Sequence, residues 1–146
     1  MKKYISILLL FVALSASSQI RKIPEEVTAA FESKFPEAKR ISWKDNLTNF
    51  EASFKLKGTE TIAKFNAKGE WLVTEKKVEY IGLPPAVQDG FKKSKYSDWE
   101  TKGVKMIDEN DRELVYRILV KKNDVQRKYL YFNDDGKLLR DIATLD

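Results

Sequence analysis

The stretch from Phe65 to Leu72 reads FNAKGEWL, and the stretch from Phe132 to Leu139 repeats its pattern as FNDDGKLL. Each stretch joins two apolar runs through a short polar segment with a glycine, a residue that adopts the positive φ of tight hairpins. The two glycines are 136 − 69 = 67 residues apart. The pattern predicts equivalent β-hairpins in the two halves of the chain.

The segments that precede these hairpins also repeat, at a spacing of 84 − 24 = 60 residues. The repeated residues are Ile23, Pro24, Val27 and Phe31 in the first half, and Leu83, Pro84, Val87 and Phe91 in the second. Two landmarks in the same order indicate an internal duplication, with 67 − 60 = 7 additional residues in the second copy.

Each copy is predicted to begin with a helix. Pro24 and Pro84 suit the first helical turn, where a missing N–H leaves no hydrogen bond unmade. Pro36 ends the first helix, because the residue before a proline is disfavoured in the α region. Gly90 is expected to weaken the second helix by roughly 1 kcal/mol relative to alanine. The apolar stripe of the first helix is Val27, Ala30, Phe31, the aliphatic stem of Lys34, and Phe35. That of the second helix is Val87, Phe91 and Tyr96.

An alternation of apolar and polar residues follows each helix and predicts four strands per copy. The strands are expected at 41–44, 50–56, 59–65 and 71–78, and at 102–107, 113–120, 126–132 and 137–142. The short turns between them require antiparallel pairing, since a parallel crossover needs about a dozen residues. The even-numbered residues of the second strand, such as Phe50 and Phe54, are expected to face the core.

These elements predict an α+β fold, in which two tandem helix-plus-four-strand repeats form antiparallel sheet with both helices packed on one face. The predicted segments are a signal peptide over residues 1–18, a first repeat over 19–80 and a second repeat over 81–146. The other face of the sheet is left to solvent or to a partner.

Several short motifs occur together in the first half of the chain. They are Ile23-Pro24, Phe31, Phe35-Pro36-Glu37-Ala38, Trp43 and the stretch from Phe65 to Trp71. Together they resemble the PepSY-like, beta-lactamase-inhibitor-like family of exported bacterial proteins, over residues 20–145. The resemblance implies two tandem units that form one curved sheet, and a binding or inhibitory role. The second copy lacks counterparts of Pro36 and Trp43, and no disulfide can form without cysteine, so the family's contact residues are not transferred to this chain.

The N-terminus is typical of a secretion signal. Lys2 and Lys3 precede an apolar run from Ile5 to Leu14, and small residues follow it. Ala16 and Ser18 suit the −3 and −1 positions, so cleavage is expected between Ser18 and Gln19. The alternative is a membrane anchor, but the run is about half the length of a membrane span. The chain has no cysteine to carry a lipid. We therefore expect a periplasmic or secreted protein that is not a lipoprotein and has no transmembrane segment after cleavage.

The amino-acid composition excludes the commonest catalytic groups. The chain has no histidine and no cysteine, so the usual general base, thiol nucleophiles and zinc or iron–sulfur ligand sets are missing. The acidic turns at 108–113 and 133–136 are interpreted as solvated loops, since neither has a matched acid and base or the ligand spacing of a calcium loop. Without the two signal lysines the net charge is +5 − 2 = +3, spread along the chain. We expect no enzymatic activity, metal, cofactor or nucleic-acid partner.

The predicted binding residues occupy strand positions that point away from the core. They are Val115, Arg117, Leu119, Tyr129 and Tyr131. A surface of tyrosine, arginine and aliphatic residues is typical of protein interfaces. The alternative is that a helix, the other copy or a dimer partner covers these residues.

The sequence thus predicts an exported, non-enzymatic binding module that recognises an unidentified protein, peptide or envelope polymer through the open sheet face. The family resemblance implies that this binding is inhibitory. The alternative is a self-associating structural envelope protein whose outward apolar residues form a homodimer. Sequence patterns leave this choice open.

Overall fold

The computed structural model describes residues 22–144, so the predicted signal peptide and its cleavage site lie outside the described residues. The elements are α1 (Glu25–Lys34), β1 (Lys39–Asp45), β2 (Phe50–Leu56), β3 (Thr59–Phe65), β4 (Trp71–Val78), a short 3-10 helix (Tyr80–Gly82), α2 (Pro85–Lys93), β5 (Glu100–Glu109), β6 (Val115–Lys121), β7 (Arg127–Asn133) and β8 (Leu138–Ala143). The eight strands form one open antiparallel sheet in the order β1 to β8.

Both helices begin one residue later than predicted. Pro24 and Pro84 immediately precede α1 and α2, and their carbonyl oxygens accept hydrogen bonds from the N–H groups of Thr28 at 3.2 Å and Gln88 at 3.1 Å. Pro85 takes the first helical position of α2, where its restricted φ suits the helix.

The second helix ends at Lys93, so Tyr96 lies beyond it and not on the helical stripe as predicted. Ser94 ends the helix, because its N–H and its hydroxyl both donate to the carbonyl oxygen of Phe91, at 3.0 and 2.8 Å. The Ser94 hydroxyl also accepts the N–H of Tyr96 at 3.2 Å. This turn directs the Tyr96 ring back into the core, where it is buried.

Strands β2, β3 and β6 confirm the predicted alternation of buried and less buried residues, whereas Ile41 of β1 is 45% exposed. Strand β1 is also longer than predicted at both ends. Strands β2, β3 and β4 have the predicted bounds, whereas β6, β7 and β8 begin one or two residues later. Strand β5 is longer than predicted because it is paired along both edges, from Val73 opposite Glu109 to Glu100 opposite Lys121. Its polar ends do not alternate with apolar residues, so the sequence pattern did not include them.

The two helices lie on the same face of the sheet, which we call the helix face. Thr61, Lys76, Met106, Tyr116 and Phe132 are successive cross-strand partners from β3 to β7. Direct partners project to the same side of a sheet. This side carries both apolar clusters, one around each helix.

Each helix packs on its own apolar cluster. The α1 cluster is Val27, Phe31, Phe35, Phe50, Ala52, Phe54, Ala63 and Phe65. The α2 cluster is Leu83, Val87, Phe91, Tyr96, Val104, Tyr116, Ile118, Val120, Leu130 and Phe132. Inward-facing Phe50, Phe54, Tyr116 and Ile118 are therefore where the alternation predicted them.

The two predicted hairpins have the same local geometry. Gly69 and Gly136 adopt φ of +81° and +77°. The side-chain oxygen of Asn66 accepts the N–H of Glu70 at 3.0 Å, and that of Asn133 accepts the N–H of Lys137 at 2.9 Å. An asparagine that bonds to the backbone a few residues ahead stabilises a turn.

The hairpin between β7 and β8 touches α2 through backbone atoms. A Cβ added at Gly90 would lie 1.9 Å from the carbonyl oxygen of Gly136, and one added at Gly136 would lie 2.0 Å from the carbonyl oxygen of Ala86. Gly90 was expected only to weaken the helix. In the folded chain its missing side chain is what allows the helix and the hairpin to approach.

Candidate binding face

The five predicted binding residues lie on the face away from the helices, which we call the open face. Arg117 is opposite Tyr131 and Leu119 is opposite Tyr129, in the pairing of β6 with β7. Val115 is the neighbour of Arg117 on the same side of β6. Strand pairing thus brings all five into one patch, near the middle of the C-terminal half of the sheet.

Arg117 contacts Glu75 on β4 and Tyr129 on β7, and Lys105 on β5 binds the same carboxylate oxygen. Arg117 Nη2 donates to Glu75 Oε2 at 3.2 Å, and Lys105 Nζ donates to the same oxygen at 2.9 Å. The guanidinium carbon lies 4.7 Å from the centre of the Tyr129 ring, within cation–π range. These contacts give the Arg117 side chain a defined position without any ligand.

Glu75 is a charged group under competing influences. Burial, the largest single influence, raises the pKa of Glu75, but the hydrogen bond from Lys105 and the positive charges of Arg117, Lys105 and Lys64 together outweigh it. The pKa of Glu75 therefore lies below its ordinary value. The Glu75 carboxylate therefore stays ionised at neutral pH.

This lowered pKa predicts how stability depends on pH. A carboxyl with a lowered folded pKa stabilises the protein above its unfolded pKa, and that contribution disappears as pH falls through the folded pKa. We expect Glu75→Gln to lower the free energy of unfolding by about 1 kcal/mol at pH 7 and by less at pH 3. Urea unfolding at both pH values measures the difference. Glu60→Gln is the control, because Glu60 is exposed and its one ion pair among the described residues is with Lys77 at 3.9 Å. An equal loss at both pH values for Glu75→Gln would contradict the prediction.

Tyr131 lies on the predicted face but is only 9% exposed. The Arg140 guanidinium covers it, with its carbon 4.2 Å from the ring centre, and Arg140 is the cross-strand partner of Tyr131 on β8. Ile107, on the same side of the sheet, is 7% exposed. A partner that approaches here meets Arg140 before it meets the tyrosine ring.

Alternation along single strands did not identify four other residues of this face. They are Glu75, Lys105, Arg140 and Ile142. Ile142 is opposite Tyr129 and is exposed. The register of β4 with β5 and of β7 with β8 determines which residues lie next to the predicted ones. The sequence pattern of a single strand contains no information about that register.

A shallow groove of about 350 Å³ adjoins the patch on its N-terminal side. Its charged lining residues are Arg40, Lys55, Glu60, Glu75, Lys77 and Lys105, around Ser42, Ser53 and Ile62. Within residues 22–144, no group of acidic, histidine or cysteine side chains is arranged to hold a metal ion. The same residues contain no helix with the length and hydropathy to span a membrane.

The sequence pattern of the beta-lactamase-inhibitor-like, PepSY-like family matches residues 48–140 of this chain. No curated protein matches it.

Several solved structures share the fold, among them three from Bacteroides species. A BLIP-like protein from Bacteroides fragilis NCTC 9343 is 25% identical, with a TM-score of 0.81 over 88% of this chain and 91% of that one. A DUF2874 family protein from Bacteroides ovatus ATCC 8483 is 24% identical, with a TM-score of 0.80 over 84% and 89%. A candidate periplasmic protein from Bacteroides eggerthii DSM 20697 is 24% identical, with a TM-score of 0.79 over 84% and 90%.

Proposed function

The chain belongs to the beta-lactamase-inhibitor-like, PepSY-like family, and from that premise we propose that it is a non-enzymatic, inhibitor-like binding module that recognises a protein or peptide through its open face. Lack of histidine and cysteine supports the non-enzymatic assignment. We also propose that the protein is exported to the periplasm. The signal-like N-terminus supports export, as does the structural similarity to a candidate periplasmic protein.

The observation that carries the proposal is the fixed arrangement of Arg117, Leu119 and Tyr129 on the face opposite α1 and α2. Arg117 is held by Glu75 and lies over Tyr129 before any partner binds. A side chain that is already ordered loses little conformational entropy on binding, which favours affinity. Tyrosine and arginine are also the residue types that most often dominate binding energy at interfaces.

Capture from the native cell envelope tests the proposal. The double variant Leu119→Ala plus Tyr129→Ala is expected to retain less than about a tenth of the partner that wild type captures, since truncation of central contacts typically costs at least about 1.4 kcal/mol, a factor of ten. The measurement is quantitative mass spectrometry of the captured proteins.

Leu47→Ala plus Ile81→Ala is the matched control. Both residues are apolar and strongly exposed, and both lie in connections outside the open face. The control is expected to capture the partner as wild type does. Equal capture by both double variants would remove the open face from the function.

Self-association is the second candidate function. The edge strand β8 exposes Leu139 and Ile142 and has no neighbour on its outer side within the sheet. Unpaired edge strands with apolar residues favour pairing with another chain. Sedimentation across a concentration range tests it: a monomer at all concentrations excludes this function, whereas a dimer lost in Ile142→Lys supports it.

We further propose that the two halves are tandem repeats, over residues 19–80 and 81–146. The close backbone approaches support this. A Cβ at Gly69 would meet the carbonyl oxygen of Glu26 at 2.5 Å, and a Cβ at Gly136 would meet that of Ala86 at 2.0 Å. The helix positions differ by 86 − 26 = 60 and the turn positions by 136 − 69 = 67, the spacings found in the sequence.

A further inference from the structure

A line of basic side chains crosses the open face from one edge of the sheet to the other. Its members are Lys39, Lys55, Lys77, Lys105, Arg117 and Arg140, and we call it the basic row. Glu60 lies between Lys55 and Lys77, and Tyr131 lies between Arg117 and Arg140. Because successive members are cross-strand neighbours, the row runs perpendicular to the strands.

The basic row places like charges directly opposite one another. Lys39 is opposite Lys55, and Lys105 has Lys77 on one side and Arg117 on the other. Like charges in directly opposite positions destabilise a sheet. Such an arrangement is a local conflict with the fold, and conflicts of this kind mark functional sites.

Few carboxylates neutralise the row. Glu75 bonds to Lys105 and Arg117, and Glu60 lies 3.9 Å from Lys77. Within residues 22–144, Lys39 and Lys55 form no ion pair. The N-terminal part of the row therefore carries positive charge that the fold does not compensate.

A strained residue adds a further cation beside these lysines. Arg40 has a φ of +55° at the irregularity in the pairing of β1 with β2. Residues other than glycine in this region store backbone strain of about 1 kcal/mol or more, which is common at ligand-binding positions. Arg40 and Lys55 both line the groove of about 350 Å³ on the open face.

We propose that the basic row binds an acidic polypeptide segment of the partner, laid across the strands. This rests on the function proposed above and specifies the chemistry of the partner. Neighbouring strands are about 4.8 Å apart, so eight strands span about 34 Å, the length of about ten extended residues. Carboxylates of the segment neutralise the unpaired cations in the groove and relieve their mutual repulsion.

A polypeptide fits better than a purely anionic polymer because an apolar row lies directly beside the basic one. Leu119, Tyr129 and Ile142 are successive cross-strand partners there. A segment that combines carboxylates with apolar side chains uses both rows, whereas a phosphate polymer uses only the first. The ligand class is thus an acidic segment with interspersed apolar residues.

Fluorescence anisotropy of a labelled ten-residue oligoglutamate tests the charge requirement. We expect wild type to bind the peptide at about 0.05 M salt and to release it at about 0.5 M salt, where the Debye length is shorter than the spacing of the row. Lys55→Glu plus Lys77→Glu is expected to weaken binding by about tenfold or more, because it reverses two central charges of the row. Glu60 lies between the two substituted positions, so Lys55→Gln plus Lys77→Gln, which adds no carboxylate beside Glu60, is measured as well and is also expected to weaken binding. Thermal unfolding checks that both variants fold.

The matched control is Lys68→Glu plus Lys92→Glu, which makes the same change in net charge on exposed residues outside the row. The control is expected to bind within about twofold of wild type, since exposed charges beyond a Debye length are screened. Equal loss in both variants would overturn the proposal. Binding of the oligoglutamate by neither wild type nor control would overturn it as well.

A second probe tests the apolar requirement. A peptide of the same length with four glutamates replaced by leucine is expected to bind at least as tightly as oligoglutamate, despite its lower charge. Weaker binding, or preferential binding of polyphosphate with the same charge, would overturn the assignment to an acidic polypeptide. The capture experiment with Leu119→Ala plus Tyr129→Ala leaves every lysine intact, so its outcome judges the proposed function separately from the basic row.

Discussion

Phe31→Ala is expected to lower the free energy of unfolding by about 3–5 kcal/mol, the range for loss of a buried aromatic ring. Phe31 is 2% exposed, and its ring centre lies 5.0 Å from that of Phe54 and 5.2 Å from that of Trp43. It also packs on Phe35 and Phe65, so its removal leaves a cavity that four other rings border. Urea unfolding of the variant, followed by circular dichroism, measures the loss.

Phe91→Ala is the matched comparison, since Phe91 takes the corresponding position of α2. Its ring contacts one other aromatic ring among the described residues, that of Tyr80 at 5.7 Å. We expect a loss smaller by at least about 1.5 kcal/mol, because Phe91 has three fewer aromatic pairs among the described residues and each favourable pair contributes about 0.5–1.5 kcal/mol beyond its buried area. A larger loss for Phe91→Ala would contradict the prediction that the additional aromatic pairs make Phe31 the more stabilising of the two rings.

Gly136→Ala is expected to lower the free energy of unfolding by about 3 kcal/mol, the upper part of the range for overpacking. The added Cβ would meet the carbonyl oxygen of Ala86 at 2.0 Å, and the residue has a φ of +77°. Gly58→Ala separates the two causes, because Gly58 has a φ of +81° but no atom of residues 22–144 lies within 4 Å of the added Cβ. The control is expected to lose only about 1 kcal/mol. Chemical unfolding of both variants measures the difference, and equal losses would rule out the contact with α2.

Gly90→Ala tests the same contact from the other side. Helix propensity alone predicts that this change stabilises α2 by about 1 kcal/mol. The position of the Gly136 carbonyl oxygen, 1.9 Å from the added Cβ, predicts destabilisation. The sign of the measured change therefore decides whether helix propensity or backbone approach controls this position.

Much of the fold was predictable because it depends on interactions within short segments. The alternation around Phe54 and Ile118 indicated which side of β2 and β6 is buried, and both residues are buried. The hairpins at Gly69 and Gly136 were also predictable, since an asparagine side chain and a positive φ act within five residues. The family resemblance is confirmed by the match over residues 48–140.

The candidate site was predictable only in part. Arg117 and Tyr129 lie on the open face as expected, but the alternation did not show that Glu75 holds Arg117. The alternation also did not show that the Arg140 guanidinium covers the Tyr131 ring. Periodicity reports the direction in which a side chain leaves its strand, and it carries no information about the neighbouring strand.

The sequence by itself determined the order of the helices and strands, the buried side of β2 and β6, and the absence of histidine and cysteine chemistry. The tertiary structure decided which residues share a row across the sheet, such as Lys105 beside Arg117, and which backbone atoms meet, such as those of Gly90 and Gly136. Local periodicity and turn chemistry act over a few residues, where sequence is sufficient. Register and close packing join residues distant in the chain, such as Glu75 and Arg117, and are set only when the whole sheet assembles.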